Sequence, residues 1–387
     1  MVSFNDTKIA FESKNTADLK RSYHLFKVIG NPSIVKLGGL FTPIALKLHL
    51  PIKGIIKKTI YRQFVGGETI TDCEKTIETL SNYHIGTILD YSVEGKEGEK
   101  DFDHCMEETL RGIERAKNDP RIPFCVFKPT GLARRDLLAK VSSNTTLSDS
   151  EIEEWKRAQN RVRTICESSH LAEKPIFIDA EESWIQNAID QLAYQNMKLF
   201  NKNKCIVYNT FQLYRHDRLQ FLNDCILQSK SDAIYFGAKL VRGAYMEKER
   251  KRATETNYPS PIQPDKKCTD NHYNQALETC LSNENVFLCA GTHNEQSSQM
   301  LIELLGKFKI PPSNPRVYFS QLLGMSDHIS FNLSKSGYNV AKYVPYGPVN
   351  EVLPYLLRRA AENTSVKGQT GRELNLIMME QQRRKTR

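Results

Sequence analysis

Apolar and polar positions alternate in blocks along most of the chain, so that short β-branched and aromatic runs are separated by longer stretches of helical periodicity. Several of the short runs are continuously apolar, as strands covered on both faces are. Eight such runs span residues 85–93, 122–130, 174–181, 204–212, 233–243, 285–294, 316–324 and 338–347. Helical patterns span 102–119, 150–170, 181–199, 213–229, 270–283, 295–307 and 326–336, and the helix-like stretch YLLRRAAEN follows the last run.

Eight strands that alternate with helices are typical of a TIM-like (β/α)8 barrel of the α/β class. A doubly wound open sheet is the alternative, because the pattern does not show whether the sheet closes. Residues 1–84 precede the first strand and are predicted to be mainly helical, while residues 248–271 read as a long loop. We therefore expect an N-terminal helical arm, 1–84, and a catalytic barrel with a C-terminal helix, 85–387.

The composition is that of a globular protein, with 40% hydrophobic and 26% charged residues among 387. Nine cysteines occur without a C-x-x-C pair or an ordered Cys/His spacing, which disfavours a disulfide framework and a zinc site and favours a reducing compartment. No leader pattern opens the chain, and no run approaches the roughly 18 apolar residues of a membrane span. These features predict a cytoplasmic protein.

The net charge of +9 is unevenly distributed, because no acidic residue lies between Asp18 and Glu68. This basic stretch contains the apolar string LGGLFTPIALKLHLPIKGII. It is either a helical arm packed on the main domain or a peripheral contact with an anionic membrane surface. A nucleic-acid surface is not expected, since aromatic residues are sparse there and no binding motif is found.

Polar residues stand at the end of nearly every predicted strand, where barrel enzymes carry their chemistry. They are Glu94, Lys128, Asp179, Asn209, Lys239, Tyr245, Thr292, His293, Asn294, Gln321 and Tyr343. Cations exceed acids in this set once Arg242, Arg358 and Arg359 are added, which favours an anionic ligand. The adjacent Arg358 and Arg359 are either a solvated surface patch or a site for a carboxylate or phosphate.

The residues alone leave the reaction open. The serine elbow, the P-loop, the H-E-x-x-H helix and the G-x-G-x-x-G fingerprint are missing from the sequence. A metal site is not expected, because His293 has no second histidine near it in sequence. A Schiff-base lyase using Lys128 or Lys239 remains an alternative, and so does a membrane-surface scaffold without enzymatic activity.

Several motifs are nevertheless specific. YLLRRAAEN (355–363) resembles the Y-L-x-R-R-x-x-E-N signature of the proline dehydrogenase family, and KLVRGAY (239–245) resembles its second signature. The segments THN (292–294), QLLGM (321–325) and YVPYGPVNEVLPYL (343–356) also resemble family segments in the expected order. The resemblance covers residues 85–365, and no aldehyde dehydrogenase portion follows, as in the monofunctional form. It implies a distorted (β/α)8 barrel that holds FAD and oxidises L-proline to Δ1-pyrroline-5-carboxylate by hydride transfer to flavin N5, with electrons passed to a membrane quinone.

The resemblance also implies roles for individual residues. Arg358 and Arg359 would bind the proline carboxylate together with Lys128, with Glu94 nearby, and Asp179 would orient the neighbouring cations. Lys239 would stabilise the negative charge that grows on the flavin. The ring of the substrate would be enclosed by Tyr245, Leu322, Tyr343 and Tyr355. The cofactor would be held by Ala180, Asn209, Lys239, Arg242, Gly243, Ala244, Thr292, His293, Asn294 and Glu362.

Two further expectations follow from the resemblance. The hydroxyl of Tyr343 would crowd a 4-hydroxyl group on the substrate ring, so proline is favoured over hydroxyproline. A quinone reductase must meet its acceptor at the bilayer, so residues 33–65 would dock peripherally on the inner face of the membrane without spanning it.

Overall fold

Eight parallel strands form a closed barrel in which the strands follow one another in sequence order. The computed structural model describes residues 2–47, 52–92, 97–365 and 369–386. The strands are β1 (Ile85–Tyr91), β2 (Phe124–Phe127), β3 (Ile176–Ile178), β4 (Val207–Gln212), β5 (Phe236–Val241), β6 (Val286–Gly291), β7 (Val317–Leu322) and β8 (Val340–Tyr346). The predicted (β/α)8 fold is thus confirmed, and the open doubly wound sheet is wrong.

Each strand lies inside its predicted run and is shorter than the run. The shortfall is as large for β2 and β5 as for β3, which has three residues where the predicted run covers 174–181. As a result, Lys128, Asp179 and Thr292 follow their strands, whereas Lys239 lies within β5. The ends of the predicted runs therefore belong to the loops on which barrel enzymes place binding and catalytic residues.

Helices follow the strands, and all of the predicted ones are present, including the one that carries the arginine pair. They are α7 (Glu99–Ala116), α8 (Arg135–Ser142), α9 (Asp149–Leu171), α10 (Ser183–Phe200), α11 (Arg218–Ser231), α12 (Met246–Glu255), α13 (Lys266–Leu281), α14 (Glu295–Lys307), α15 (Asp327–Lys335), α16 (Val349–Ser365) and α17 (Gln369–Lys385). Side-chain capping fixes where helices α9 and α14 begin. Ser148 and Glu151 form a reciprocal capping box at α9, and the Asn294 side chain accepts a hydrogen bond from the backbone of Ser297 at α14.

The long loop predicted over residues 248–271 is wrong at both ends. Helix α12 occupies most of its first part, and α13 begins at Lys266. Seven of the ten residues of α12, MEKERKRATE, are charged, so it shows no apolar stripe of helical period. Hydrophobic periodicity does not predict a helix that is held by polar contacts rather than by an apolar face.

The part of the chain before β1 is mainly helical, as predicted. It contains α1 (Thr7–Ala10), α2 (Thr16–Ile29), α3 (Pro32–Lys47), α4 (Lys53–Ile56), α5 (Arg62–Phe64) and α6 (Glu74–Ser81), with a π-helical segment, Lys57–Tyr61, and a 3-10 turn, Thr71–Cys73. None of the helices that the structure describes combines the length and the apolarity needed to cross a bilayer.

The chain divides into two compact units, one formed by Met1–Glu94 with Gln321–Arg387 and the other by Gly95–Ser320. The first unit has an apolar core in which Phe26 and Phe64 of the N-terminal helices are buried together with Leu356 of α16. The division into an arm, 1–84, and a barrel, 85–387, stays a prediction.

In the second unit, aromatic side chains from several strands pack against one another. Phe124 stacks on Phe177 with ring centroids 4.5 Å apart, and it meets Tyr208 and Tyr318 edge-on at 5.7 and 4.8 Å. These residues are the first or second of their strands. They form a packed floor, so the polar residues toward the C-terminal ends of these strands lie above an apolar layer.

Candidate functional site

In the Gly95–Ser320 unit, one carboxylate is shared by two lysines. The Lys239 ammonium forms a short ion pair with Oδ1 of Asp179, and Lys128 Nζ lies 3.9 Å from Oδ2 of the same residue. Lys239 is only 4% exposed, and its Nζ lies 5.4 Å from the centroid of the Phe177 ring. Two ammonium groups are thus placed beside an apolar floor, an arrangement that suits an anionic ligand.

Residues next to Asp179 fix the loop that carries it. Glu181 is buried, and its carboxylate accepts hydrogen bonds from the backbone N–H and the hydroxyl of Thr130, at 2.8 and 2.5 Å. Gln212 at the end of β4 donates to the backbone carbonyl of Glu181 at 2.6 Å. Ala180 lies between the two acidic residues. The sequence reasoning missed Glu181, although a run of three acids directly after a strand, DAEE, was a visible signal.

The side chain of Asn209, predicted to bind the cofactor, is engaged with a helix. Its Nδ2 donates to Oδ1 of Asp190 on α10 at 2.8 Å, and Arg218 pairs with the other oxygen of Asp190 at 2.7 Å. All three residues are buried. A role for Asn209 at the cofactor stays a prediction, and its visible function is to fasten β4 to the helical layer.

Arg242 follows β5 and is held on all three of its nitrogens. Nε donates to Asp270 at 2.8 Å, one terminal nitrogen donates to the Thr292 hydroxyl at 2.7 Å, and the other donates to Ser297 at 2.9 Å. The guanidinium also lies 4.4 Å from the centroid of the Tyr273 ring. Burial alone would raise the pKa of Asp270, but hydrogen bonds from Lys266 and Arg242 lower it. Arg242 therefore holds together the segments after β5 and β6.

Gly243 makes the turn after Arg242. Its φ of +135° lies where L side chains are strained, and a Cβ there would come within 2.5 Å of the Tyr214 ring. Only glycine fits this position. Ala244 is exposed, and Tyr245 is partly buried and directly precedes α12.

The THN segment follows β6 and is tied to its neighbours by hydrogen bonds. The hydroxyl of Thr292, which also bonds Arg242, accepts a hydrogen bond from the backbone N–H of Asn294 at 3.1 Å. Asn294 uses its side chain to cap α14, and His293 between them is partly buried. The part of the chain that the structure describes holds no group of three or more His, Cys, Asp or Glu side chains arranged to bind a metal ion.

In the other unit, α16 presents the predicted arginine cluster. Arg359 is 6% exposed, and one of its terminal nitrogens donates to Glu362 at 2.5 Å. The Cζ atom of Arg359 lies 5.2 Å from the centroid of the Tyr355 ring, four residues earlier on the same helix face. Arg358 is partly buried. Tyr355, Arg359 and Glu362 therefore share one face of α16.

Leu322 and Tyr343 lie in the same unit as that cluster and are joined through the turn after β7. The carbonyl of Tyr343 accepts a hydrogen bond from the backbone N–H of Leu323 at 2.8 Å. The neighbouring Lys342 is 1% exposed, and its ammonium reaches the carbonyl of Met325 at 2.8 Å. Tyr343 itself is 7% exposed.

The sequence reasoning missed Lys342 and its partner. Lys342 pairs with Asp327 at 2.8 Å, and Lys14 of the N-terminal segment pairs with the other oxygen of Asp327 at 2.7 Å. Burial would raise the pKa of Asp327, but the two lysines hold it well below its usual range. A lone lysine inside the otherwise apolar strand β8 was the available signal. Glu94, predicted near the arginines, lies outside the described residues.

Comparison with known proteins gives consistent relationships. The sequence profile of the family described as Proline dehydrogenase matches residues 73–372. The chain is 34% identical, over 98% of its length and 74% of the relative's, to "Proline dehydrogenase 1, mitochondrial" of Dictyostelium discoideum. It is also 34% identical to the carbapenem antibiotics biosynthesis protein CarD of Pectobacterium carotovorum, over 83% of each chain.

Among solved structures, proline utilization A from Bdellovibrio bacteriovorus, inactivated by N-propargylglycine, has a similar fold. It matches 93% of the chain with a TM-score of 0.72 and 18% identity. The chain covers 38% of that larger protein. At this identity the likeness concerns the fold alone.

Proposed function

Because the chain belongs to the proline dehydrogenase family, we propose that it oxidises L-proline to Δ1-pyrroline-5-carboxylate, with FAD as hydride acceptor and a membrane quinone as final electron acceptor. The chain is an oxidoreductase of this family. The observation that carries the finer proposal is the pair of lysines around Asp179, a cationic site above an apolar floor.

The donor set at the strand ends fits a flavin dinucleotide. Lys239 and Arg242 are cations three residues apart at the end of one strand, and Thr292 places a hydroxyl against Arg242. A cofactor with an electron-poor ring system and a diphosphate requires cations and hydrogen-bond donors of this kind. We assign cofactor binding to the set predicted from the sequence, which comprises Ala180, Asn209, Lys239, Arg242, Gly243, Ala244, Thr292, His293, Asn294 and Glu362.

FAD, when bound, supplies an acceptor for the hydride that leaves a C–H bond of the proline ring. The contribution of Lys239 is positive charge held at a fixed place, because its ammonium is anchored by Asp179 and is almost fully buried. A fixed cation in a site that excludes water stabilises developing negative charge without reorganisation cost. Asp179 orients both lysines and thereby acts on the reaction through them.

Arg358 and Arg359 are assigned to the substrate carboxylate. The guanidinium of Arg359 is buried and held by Glu362 and Tyr355, so its orientation is set before substrate arrives. A planar guanidinium binds a carboxylate through two parallel hydrogen bonds. Assignments of Lys128 and Glu94 to the same carboxylate cluster stay predictions.

Tyr245, Leu322, Tyr343 and Tyr355 are assigned to the apolar ring of the substrate. Tyr343 and Tyr355 are both nearly buried, so they exclude water from the groups they cover. The rival lyase reading requires a lysine that attacks a carbonyl carbon. Lys239 is instead engaged by Asp179, and this ion pair favours the electrostatic role.

The proposal is tested on purified protein supplied with FAD, L-proline and a soluble quinone analogue. We expect proline-dependent quinone reduction, with pyrroline-5-carboxylate formed in equal amount. The lyase reading predicts no quinone reduction and instead a borohydride-stable adduct with a carbonyl compound. That result would contradict the proposed redox reaction.

We further propose that the N-terminal arm contacts an anionic membrane surface. Helix α3 exposes Ile34, Leu37 and Phe41, which are spaced three and four residues apart and therefore share one face, and each is 46–58% exposed. Leu40 beside them is 61% exposed. The surrounding stretch from 19 to 67 has no acidic residue. An apolar face on a basic background favours an anionic lipid surface. Residues 48–51 of the predicted 33–65 contact lie outside the described residues.

The matched test compares two sets of apolar-to-polar variants in co-sedimentation with vesicles containing phosphatidylserine. Leu37→Ser with Phe41→Ser should strongly reduce binding, because two exposed apolar side chains are removed from one face. Leu171→Ser with Leu227→Ser removes similarly exposed residues elsewhere and should leave binding unchanged. Equal loss in both sets, or none in either, would contradict docking through α3. Neutralising Lys53, Lys57 and Lys58 should also weaken binding.

A further inference from the structure

Helix α12 is attached to the molecule through charged residues. Glu249, near its start, is fully buried, and both of its carboxylate oxygens are used. One accepts a hydrogen bond from the backbone N–H of Ser183 at 2.6 Å, and the other accepts from the Ser183 hydroxyl at 2.6 Å. Ser183 is the first residue of α10. Its N–H is among those that a helix cannot satisfy internally, so Glu249 completes the start of α10 from a different helix.

A second set of contacts joins the same two segments. Glu182 is 1% exposed, and its carboxylate forms short ion pairs with Lys248 of α12 and with Arg135 of α8. The guanidinium of Arg252, one turn further along α12, lies 4.5 Å from the centroid of the Trp184 ring. Glu182 thus links the segments that follow β2, β3 and β5.

The starts of α10 and α12 lie shortly after residues that are assigned to the site. Asp179 stands four residues before Ser183, and Tyr245 directly precedes α12. The first turn of α12 includes a hydrogen bond from the Glu249 N–H to the Tyr245 carbonyl at 2.9 Å. The backbone of Tyr245 is therefore joined to the residue that is anchored on α10. Release of Glu249 would remove one of the ties that fix the backbone of Tyr245 at the start of α12.

We propose that α12 is a latch and that Glu249 is a positioning residue, which holds Tyr245 in its substrate-binding place by anchoring α12 on the start of α10. The inference rests on the proposed function, because Tyr245 is assigned there to the substrate ring. Glu249 acts through Tyr245 and not on the reacting atoms.

The latch has a direct readout that does not depend on activity. Helix α12 contains four basic residues within 248–252, which are trypsin sites. Trypsin cleaves such sites only in opened molecules, so the cleavage rate follows the population of the opened form when reclosing is fast. Hydrogen bonds to a charged group are strong enough that Glu249→Ala should raise this rate by about tenfold or more.

Two companion variants sharpen the test. Ser183→Ala removes one of the two hydrogen bonds and keeps the backbone contact, so a smaller rise in the same direction is expected. The double variant should not exceed Glu249→Ala, because both substitutions break the same contact. Glu247→Ala, at an exposed position of the same helix, is the matched control and should cleave at the wild-type rate.

The positioning claim is measured by steady-state kinetics of the FAD-loaded enzyme. Glu249→Ala should raise KM for proline by about tenfold while kcat changes much less, since orientation of a binding residue is lost.

Unchanged cleavage in both Glu249→Ala and Ser183→Ala would overturn the latch. Faster cleavage with unchanged KM would overturn positioning. If Glu249→Ala does not fold, Ser183→Ala decides alone. Failure of the wild-type protein to oxidise proline would instead overturn the proposed function and leave the cleavage result readable.

Discussion

Replacing Arg359 with methionine removes a charge that the structure holds in one orientation. Arg359 is 6% exposed, and its guanidinium donates to Glu362 at 2.5 Å and lies 5.2 Å from the centroid of the Tyr355 ring. Methionine keeps a similar length and fills the apolar part of the space. Glu362 is about one-third exposed and can be hydrated when its partner is lost, so the fold should survive.

The expected effect on proline binding is large. Truncating one partner of a buried, hydrogen-bonded charge pair costs about 2–5 kcal/mol. At about 1.4 kcal/mol for each factor of ten, KM for proline should rise by about 30-fold to several thousandfold. The substitution leaves Lys239 and Asp179 in place, so kcat at saturating proline should fall much less than kcat/KM.

The assay is steady-state oxidation of proline over a wide concentration range, with thermal unfolding of the same samples. Arg111→Met on α7, whose side chain is 58% exposed, is the control and should match the wild type. A KM within threefold of the wild-type value, with the fold intact, would refute the assignment of Arg359 to the carboxylate.

Two further predictions concern Tyr343 in strand β8 and Asp327 at the start of helix α15. Tyr343→Ser should raise the preference for hydroxyproline relative to proline by about tenfold, because space is made for one hydroxyl group; competition assays showing an unchanged ratio would contradict the steric argument. Asp327→Asn breaks a buried ion pair and should lower the free energy of unfolding by about 3–5 kcal/mol in denaturant titrations, whereas Asp101→Asn on an exposed position should not. The depressed pKa of Asp327 means that its stabilisation is present above its unfolded pKa of about 3.9 and is lost as pH falls below it, so wild-type stability should drop more steeply than that of the variant on acidification.

The order of elements followed from sequence because the strands are buried on both faces. A continuous apolar stretch such as CIVY (205–208) is typical of such strands, and β4 begins within it. Whether the sheet closes depends on pairing across the whole chain, which no local pattern contains. Strand ends were overestimated because the predicted runs included the polar residues that follow each strand, as Asp179 and Glu181 follow β3.

A residue type and its place at a strand end were informative together for Asp179 and Lys239, which the folded chain brings into contact. Contacts between distant segments were not predictable in this way. Glu249 and Ser183 are 66 residues apart, and Lys14 meets Asp327 across more than 300 residues. No sequence pattern identifies the contact partner of a single polar residue within a charged helix or an apolar strand. Such partners are known only from the folded chain.

The central claim is that this chain holds a flavin and passes the electrons of proline to it. The most direct measurement is an anaerobic titration of the purified, FAD-loaded protein with L-proline, followed by its visible absorption spectrum. We expect flavin bands that bleach progressively with L-proline and do not change when D-proline is added instead. A protein that retains no flavin after FAD is supplied, or whose flavin bands do not respond to L-proline, would contradict the account.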